Sequence, residues 1–300
     1  MSLAHDLRAL AHGAIRENEP LAARSTIRLG GAAEVWFEPA TPADLVAGLR
    51  LCRERAAPVR VLGGGANTLI SDRGLPGVVL HLPPGFSGGA QWVAEDQVEL
   101  PAGLTGIKAL QAARSRGLVG PEFLVGIPGT LGGQVVMNAG THRGQMAKLL
   151  MGVELASADG LRFVDAAELG LGYRHSELPN GSVVTRVRLR FAQGDVAAGD
   201  AQLRADLDYR RRTQPWEKPN LGSTFRNPPG DFAGRLLETC GLKGERVGNV
   251  AFSALHANFL TNLGAGRADD ARALIALAQR RVRDQAGITL TLEVALAGEF

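Results

Sequence analysis

Apolar residues recur along this chain with two periods, and the switches between them mark out its elements. Between Ala268 and Asp284 the positions Ala271, Leu274, Ile275, Ala278 and Val282 return every three or four residues, which predicts an amphipathic helix with Gly287 just past its end. From Ile288 to Leu296 the period becomes two. Ile288, Leu290, Leu292, Val294 and Leu296 share one face and Thr289, Thr291, Glu293 and Ala295 the other, which predicts a strand. Val183 to Phe191 alternates as well: Val187, Leu189 and Phe191 oppose Arg186, Arg188 and Arg190, the pattern of a half-buried strand with a charged outer face. Thr41-Pro42-Ala43-Asp44 carries a hydroxyl cap, a proline for the first turn and an acid near the positive helix end, so a helix starts there with Leu45, Leu49 and Cys52 inward. A second helix is predicted from Thr105 to Arg116, stopped by Gly117 and preceded by a strand at Gln97 to Leu100. Val59 to Leu62 and Val78 to Leu82 are short apolar strands on either side of a glycine cluster.

Punctuation divides these elements into three blocks. Pro83-Pro84-Gly85-Phe86-Ser87-Gly88-Gly89 is a break, and the polar stretch Ala192 to Gly199 reads as a linker. The blocks are residues 1–82, 83–198 and 199–300, mixing helices and strands throughout. With 300 residues and 45% apolar content the chain can bury a large core. The net charge of +3 and an aromatic content of 5% do not advertise a nucleic-acid surface. Of the basic clusters, Arg280-Arg281-Val282-Arg283 reads as a solvated helix face, whereas Arg210-Arg211-Arg212 is placed to serve an anionic small molecule. Cys52 and Cys240 are the only cysteines and have no metal-ligand spacing. No metal site is expected, and a reducing, cytoplasmic setting is. No stretch is long enough to span a bilayer, and an N-terminus with His5, Asp6, Arg8 and Arg16 does not read as a signal peptide.

Two glycine clusters bring chemistry into view. Gly63-Gly64-Gly65-Ala66-Asn67-Thr68 follows an apolar strand, and Ile127-Pro128-Gly129-Thr130-Leu131-Gly132-Gly133 precedes Met137-Asn138-Ala139-Gly140. Consecutive glycines let backbone N–H groups face one concavity and let a ligand reach the main chain, as a pyrophosphate requires. The first cluster has Thr68 where the dinucleotide fingerprint needs a small residue, and neither ends in Gly-Lys-Ser/Thr, so both common phosphate loops fail. Tight turns remain the ordinary reading of such clusters. Ser223, after Gly222, lies outside any nucleophile elbow, and a serine beside a glycine is more often a turn residue. By pattern alone Arg174 is a surface arginine near a turn, and Glu293 is a solvent-facing carboxylate.

In combination these segments are more specific. Thr26-Ile27-Arg28-Leu29-Gly30-Gly31, the two glycine clusters, Tyr173-Arg174-His175-Ser176, Gly222-Ser223-Thr224-Phe225-Arg226-Asn227-Pro228 and His256-Ala257-Asn258-Phe259 resemble, in this order and over nearly the whole chain, the UDP-N-acetylenolpyruvoylglucosamine reductase family. That resemblance implies an α+β protein. An FAD-binding fold of the vanillyl-alcohol-oxidase type would occupy two α/β subdomains (1–82 and 83–198), and an α+β substrate-binding domain would occupy 199–300, with the strand 288–296 returning Glu293 to the site. It implies FAD held by Gly63, Gly64, Gly65, Ala66, Asn67, Thr68, Ile127, Pro128, Gly129, Thr130, Gly132, Gly133, Asn138 and Gly140. NADPH would be the reductant and UDP-N-acetylglucosamine enolpyruvate the substrate, in peptidoglycan synthesis. The family's catalytic arginine, serine and glutamate fall on Arg174, Ser223 and Glu293, and Asn227, Arg212 and Gln214 are substrate-binding candidates.

The residue types suit an enolpyruvyl reduction. A hydride arriving at C3 pushes charge toward C2 and its carboxylate, where a permanently charged guanidinium is useful. A glutamic acid can add a hydrogen bond, and a serine hydroxyl is an adequate acid toward a carbanion. The chain departs from the family pattern at Leu292 and Ala295, which flank Glu293 in place of proline and arginine, and at Ala66 and Gln134. Tyr209 is the only tyrosine between Arg174 and Ser223, which implies the branch without a tyrosine-bearing substrate loop. Two other readings stay open on the residues alone: a different FAD-dependent oxidoreductase on the same fold, and a flavin- or nucleotide-sugar-binding protein without turnover.

Overall fold

The computed structural model describes residues 2–300 and divides into two compact units, each discontinuous in sequence. The first contains residues up to Glu17, Val35–Gly64 and Gly77–Leu207; the second contains Asn18–Glu34, Gly65–Pro76 and Asp208–Phe300. The compact units therefore cut across the three contiguous blocks set by the punctuation. The first glycine cluster itself is shared, with Gly63 and Gly64 in one unit and Gly65 to Thr68 in the other.

The first unit has two cores. In one, the helix Pro42–Glu54 starts as its sequence predicts, with the Thr41 hydroxyl accepting from the Asp44 amide. Leu45, Leu49 and Cys52 are buried against Val35, Phe37, Val78 and Leu80. The short strand Val59–Val61 runs parallel to Leu75–Leu80 and delivers the chain to the first glycine cluster. The other core lies under a five-stranded antiparallel sheet in the order Gly160–Asp165, Leu150–Ser157, Val183–Arg190, Gln97–Pro101 and Gln91–Trp92. Ala109 and Ala113 of the helix Gly106–Arg114, and Leu131 and Val135 beside the second glycine cluster, pack into it.

On the charged face of Val183–Arg190 only Arg190 is exposed as the alternation predicts. Arg186 is 6% exposed, and its guanidinium donates to the carbonyls of Ser87 (2.6 Å), Gly89 (3.1 Å) and Glu99 (3.1 Å). The Glu99 carboxylate pairs with both Arg186 and Arg188, at 3.5 and 2.6 Å, and Arg188 also lies over the Phe163 ring. The Pro83–Gly89 segment thus closes over a buried cation. The expected linker at Ala192 to Gly199 is also ordered. Ala192–Gln193 pairs with Leu118–Val119, and the helix Val196–Thr213 begins soon after, where the Asp195 carboxylate accepts from the Ala198 amide. Periodicity could not reveal this helix, because no residue in it is buried. Ion pairing ties it down instead, with Arg114 reaching Asp200 at 2.8 Å and Glu122 at 2.7 Å.

In the second unit the helix Ala268–Ala286 lays its predicted apolar face on a four-stranded antiparallel sheet. The order is Asn220–Ser223, Phe259–Asn262, Val250–Phe252 and Arg246–Val247. Gly287 ends the helix with φ 69°, the left-handed conformation glycine adopts without strain. The strand predicted from Ile288 to Leu296 forms only in part. Ala295–Ala297 pairs in parallel with Thr68–Ile70, and Leu292 makes a single bridge to Phe225. Burial still alternates, with Leu290 and Val294 inward, but the N–H groups of Glu293 and Val294 both turn to the Thr224 carbonyl and that of Ala295 to Asn67. A regular ladder cannot form when consecutive amides share one acceptor, so Glu293 sits at a bend.

Breaking the buried arginine–glutamate group leaves an uncompensated charge, whereas an exposed pair contributes little. Glu99→Ala should therefore lower the unfolding free energy by about 3 kcal/mol in urea denaturation. Arg53→Ala, which removes the exposed Arg53–Asp159 pair, should cost about 1 kcal/mol or less.

Candidate functional site

In the first unit the two glycine clusters meet backbone to backbone. A Cβ on Gly64 would lie 2.8 Å from Cα of Gly129, and one on Gly63 would lie 2.5 Å from the Thr130 hydroxyl oxygen. Only residues without side chains allow that approach. The Thr130 hydroxyl accepts from the Gly133 amide at 3.4 Å, and Leu131 and Gly132 donate to Leu104 and Ala102, which anchors the second cluster to its own core. The amides of Gly63, Gly64, Gly129 and Thr130 have no acceptor among the described residues. Gln134 is buried and its amide nitrogen donates to the Ile127 carbonyl at 3.0 Å, bracing the turn at Pro128.

Asn138 and Gly140 build the neighbouring segment. Asn138 has φ 37° and is fully buried; its carboxamide donates to the Gly172 carbonyl at 2.8 Å and accepts from the Ala147 amide at 2.9 Å. Gly172 and His175 close a tight turn through paired backbone bonds, with Tyr173 and Arg174 at its tip. Arg174 itself has φ 55°, uncommon for a side-chain-bearing residue. Its guanidinium donates to the Gly140 carbonyl at 2.9 Å and lies over the Tyr173 ring. A left-handed arginine in a two-residue tip is held by its surroundings, and strain of this kind gathers at functional positions.

In the second unit Ser223 ends the strand Asn220–Ser223. That strand has a bulge, since Asn220 pairs with Thr261 but Ser223 with Phe259, and Gly222 supplies the φ of 73° it needs. The Ser223 hydroxyl has no protein hydrogen-bond partner among the described residues. The next residue, Thr224, is buried, and its carbonyl accepts from the Glu293 amide at 2.9 Å and from Val294 at 3.4 Å. Asn67 lies on the other side of Glu293, its carboxamide donating to the Glu293 carbonyl at 3.1 Å while its own carbonyl accepts from Ala295. Thus the predicted cofactor residues Asn67 and Thr68 share a local structure with Ser223 and Glu293. His256 is half-buried. Burial pushes its imidazole below the ordinary histidine value, and Nδ1 accepts from the Asn258 amide.

The substrate-binding candidates stand differently. The Asn227 carboxamide oxygen accepts from the Ala233 amide at 3.0 Å and so helps cap the helix Ala233–Thr239. Arg212 is exposed on the last turn of Val196–Thr213, and Gln214 follows that helix, its amide donating to Arg210. Sequence reasoning missed the structural parts played by Asn138, Thr224 and Asn258. A buried asparagine carries a signal only in its motif, and the carbonyl of Thr224 carries none.

Apposed glycine loops with unpaired amides suit a dinucleotide pyrophosphate, and the FAD binding domain family matches residues 33–164. The protein is a flavoprotein with an FAD-binding fold of the vanillyl-alcohol-oxidase type. A second family model, UDP-N-acetylenolpyruvoylglucosamine reductase, C-terminal domain, matches residues 214–297. The chain is 51% identical over 288 residues to UDP-N-acetylenolpyruvoylglucosamine reductase of Anaeromyxobacter sp. (strain Fw109-5), covering 96% of this chain and 90% of that one. It is 47% identical to the enzyme of Myxococcus xanthus (strain DK1622), over 100% and 97% of the two chains. The crystal structure of UDP-N-acetylenolpyruvylglucosamine reductase from Thermus caldophilus superposes with a TM-score of 0.79 at 36% identity, over 96% of this chain and 100% of that one. The chain belongs to the UDP-N-acetylenolpyruvoylglucosamine reductase family.

The glycine contacts make an asymmetric prediction about FAD. Gly64→Ala forces Gly129 away, and the purified protein should lose most of its flavin, measured as the ratio of flavin to protein absorbance. Gly133→Ala meets nothing nearer than the Thr130 hydroxyl at 3.6 Å and should keep its flavin.

Proposed function

We propose that this chain reduces the enolpyruvyl group of UDP-N-acetylglucosamine enolpyruvate, giving UDP-N-acetylmuramate for peptidoglycan synthesis, with Arg174, Ser223 and Glu293 as its catalytic residues. FAD, when bound, supplies the hydride that adds to C3, and NADPH renews it. FAD would be held by Gly63, Gly64, Gly65, Ala66, Thr68, Ile127, Pro128, Gly129, Thr130, Gly132 and Gly133, with Asn67, Asn138 and Gly140 shaping the adjoining segments. The Arg174 guanidinium stabilises the negative charge that builds on the substrate carboxylate. The Ser223 hydroxyl delivers the proton to C2, and Glu293 hydrogen-bonds the developing enolate. Asn227, Arg212 and Gln214 would contact the nucleotide-sugar part.

The observation that carries this reading is the common anchoring of the Ser223 and Glu293 segments at Thr224, which fixes two groups of complementary chemistry on one support. The family models at 33–164 and 214–297 support FAD-holding blocks at 1–82 and 83–198 and a substrate-binding block at 199–300. Tyr209 as the only tyrosine between Arg174 and Ser223 supports the branch without a tyrosine-bearing loop. A site of action in the cytoplasm accords with the nucleotide substrates. Among the described residues no helix is long and apolar enough to cross a membrane.

An anaerobic titration tests the reading. NADPH should bleach the flavin absorbance, and UDP-N-acetylglucosamine enolpyruvate should restore it; bleaching without recovery would mean another electron acceptor. In Ser223→Ala the bleaching by NADPH should persist while recovery slows by about 10²–10⁴-fold, the range expected for loss of a general acid. Equal slowing of both halves would remove Ser223 from the proton-transfer role.

A further inference from the structure

The segment Ser253–Phe259 closes on itself: the Ser253 amide donates to the Phe259 carbonyl at 2.8 Å, and the Ser253 hydroxyl accepts from the Leu255 and His256 amides. This closed loop presents Asn258, which is 3% exposed. The Asn258 carboxamide serves both backbone groups of Phe225, donating to its carbonyl at 2.8 Å and accepting from its amide at 2.9 Å. The Asn258 carbonyl accepts from the Thr224 amide at 2.7 Å. One residue therefore supplies three bonds to the two residues that follow Ser223, where the Asn220–Ser223 strand has left its ladder.

We propose that Asn258 is a positioning residue for proton delivery, acting as a substitute strand that fixes the Ser223 hydroxyl and, through the Thr224 carbonyl, the Glu293 backbone. The proposal rests on the roles given above to Ser223 and Glu293. The far side of Thr224 shows why a substitute is needed. Its carbonyl is committed to Glu293 and Val294, and the Arg226 amide to the Thr291 carbonyl, so a displacement of Thr224 or Phe225 is passed to both segments. A buried amide and carbonyl stripped of their partners would seek others, and the segment would move to find them. A catalytic group misplaced by about 1 Å loses rate by roughly two orders of magnitude.

The test uses the FAD-loaded protein and its two half-reactions. In Asn258→Ala, NADPH should bleach the flavin at the wild-type rate. Recovery on adding UDP-N-acetylglucosamine enolpyruvate should slow by about 10- to 100-fold, with a larger solvent deuterium isotope effect because proton transfer has become limiting. Asn258→Asp is nearly isosteric and keeps the acceptor toward the Phe225 amide but not the donor toward its carbonyl. It should show the same signature, and it carries the test if the alanine variant does not fold. Recovery at the wild-type rate, or equal slowing of both halves, overturns the positioning role. If the wild-type flavin itself is not reoxidised by this substrate, the reading of the reaction falls, and the role of Asn258 falls with it.

Discussion

The backbone of Thr224 is the joint that ties the Ser223 and Glu293 segments of the second unit together. A buried peptide group must find partners inside the protein, and this one finds them on two sides: its N–H on Asn258 and its C=O on Glu293 and Val294. The polypeptide arriving from the sheet and the polypeptide leaving the helix Ala268–Ala286 would otherwise be two irregular segments, each with freedom to lose. By sharing hydrogen bonds they hold each other. The same demand for partners explains Asn67, whose carboxamide donates to the Glu293 carbonyl, and Asn258, whose carboxamide presents a donor and an acceptor in the geometry of a peptide.

A related constraint governs the first unit. Gly63 and Gly64 approach the second glycine cluster at main-chain distance, and the amides of Gly63, Gly64, Gly129 and Thr130 have no acceptor among the described residues. Neither cluster has the lysine or the spacing of the familiar phosphate loops. The turn that carries Arg174 depends in the same way on Asn138, whose buried carboxamide ties the Gly172 carbonyl to the segment after the second cluster. The segment after the second glycine cluster and the arginine turn are therefore one mechanical assembly within the unit.

Much of the architecture was legible in the pattern of residues. The helix Pro42–Glu54 begins at the cap its sequence announces and the helix Ala268–Ala286 ends at its announced glycine, because caps and apolar stripes are local properties. The helix Val196–Thr213 was not legible, since ion pairs and not an apolar face hold it, and these depend on Arg114 and Glu122 far away in the chain. The charged face of Val183–Arg190 misled for the same reason: alternation reports side-chain direction, while burial of Arg186 depends on Ser87 and Gly89 arriving above it.

For the site, the sequence alone determined the residue types and their order: the glycine clusters, Arg174, Ser223 and Glu293, joined by motifs specific enough to place the chain in its family. These are properties of chemistry, written one residue at a time. Only the tertiary structure decided that Glu293 sits at a bend and not on a strand face, that Asn138 supports the Arg174 turn, and that Thr224 joins the segments of Ser223 and Glu293. Those outcomes turn on which backbone group meets which across gaps of 34 to more than 200 residues. A carbonyl has no letter of its own in a sequence, so its partners appear only when the chain has folded.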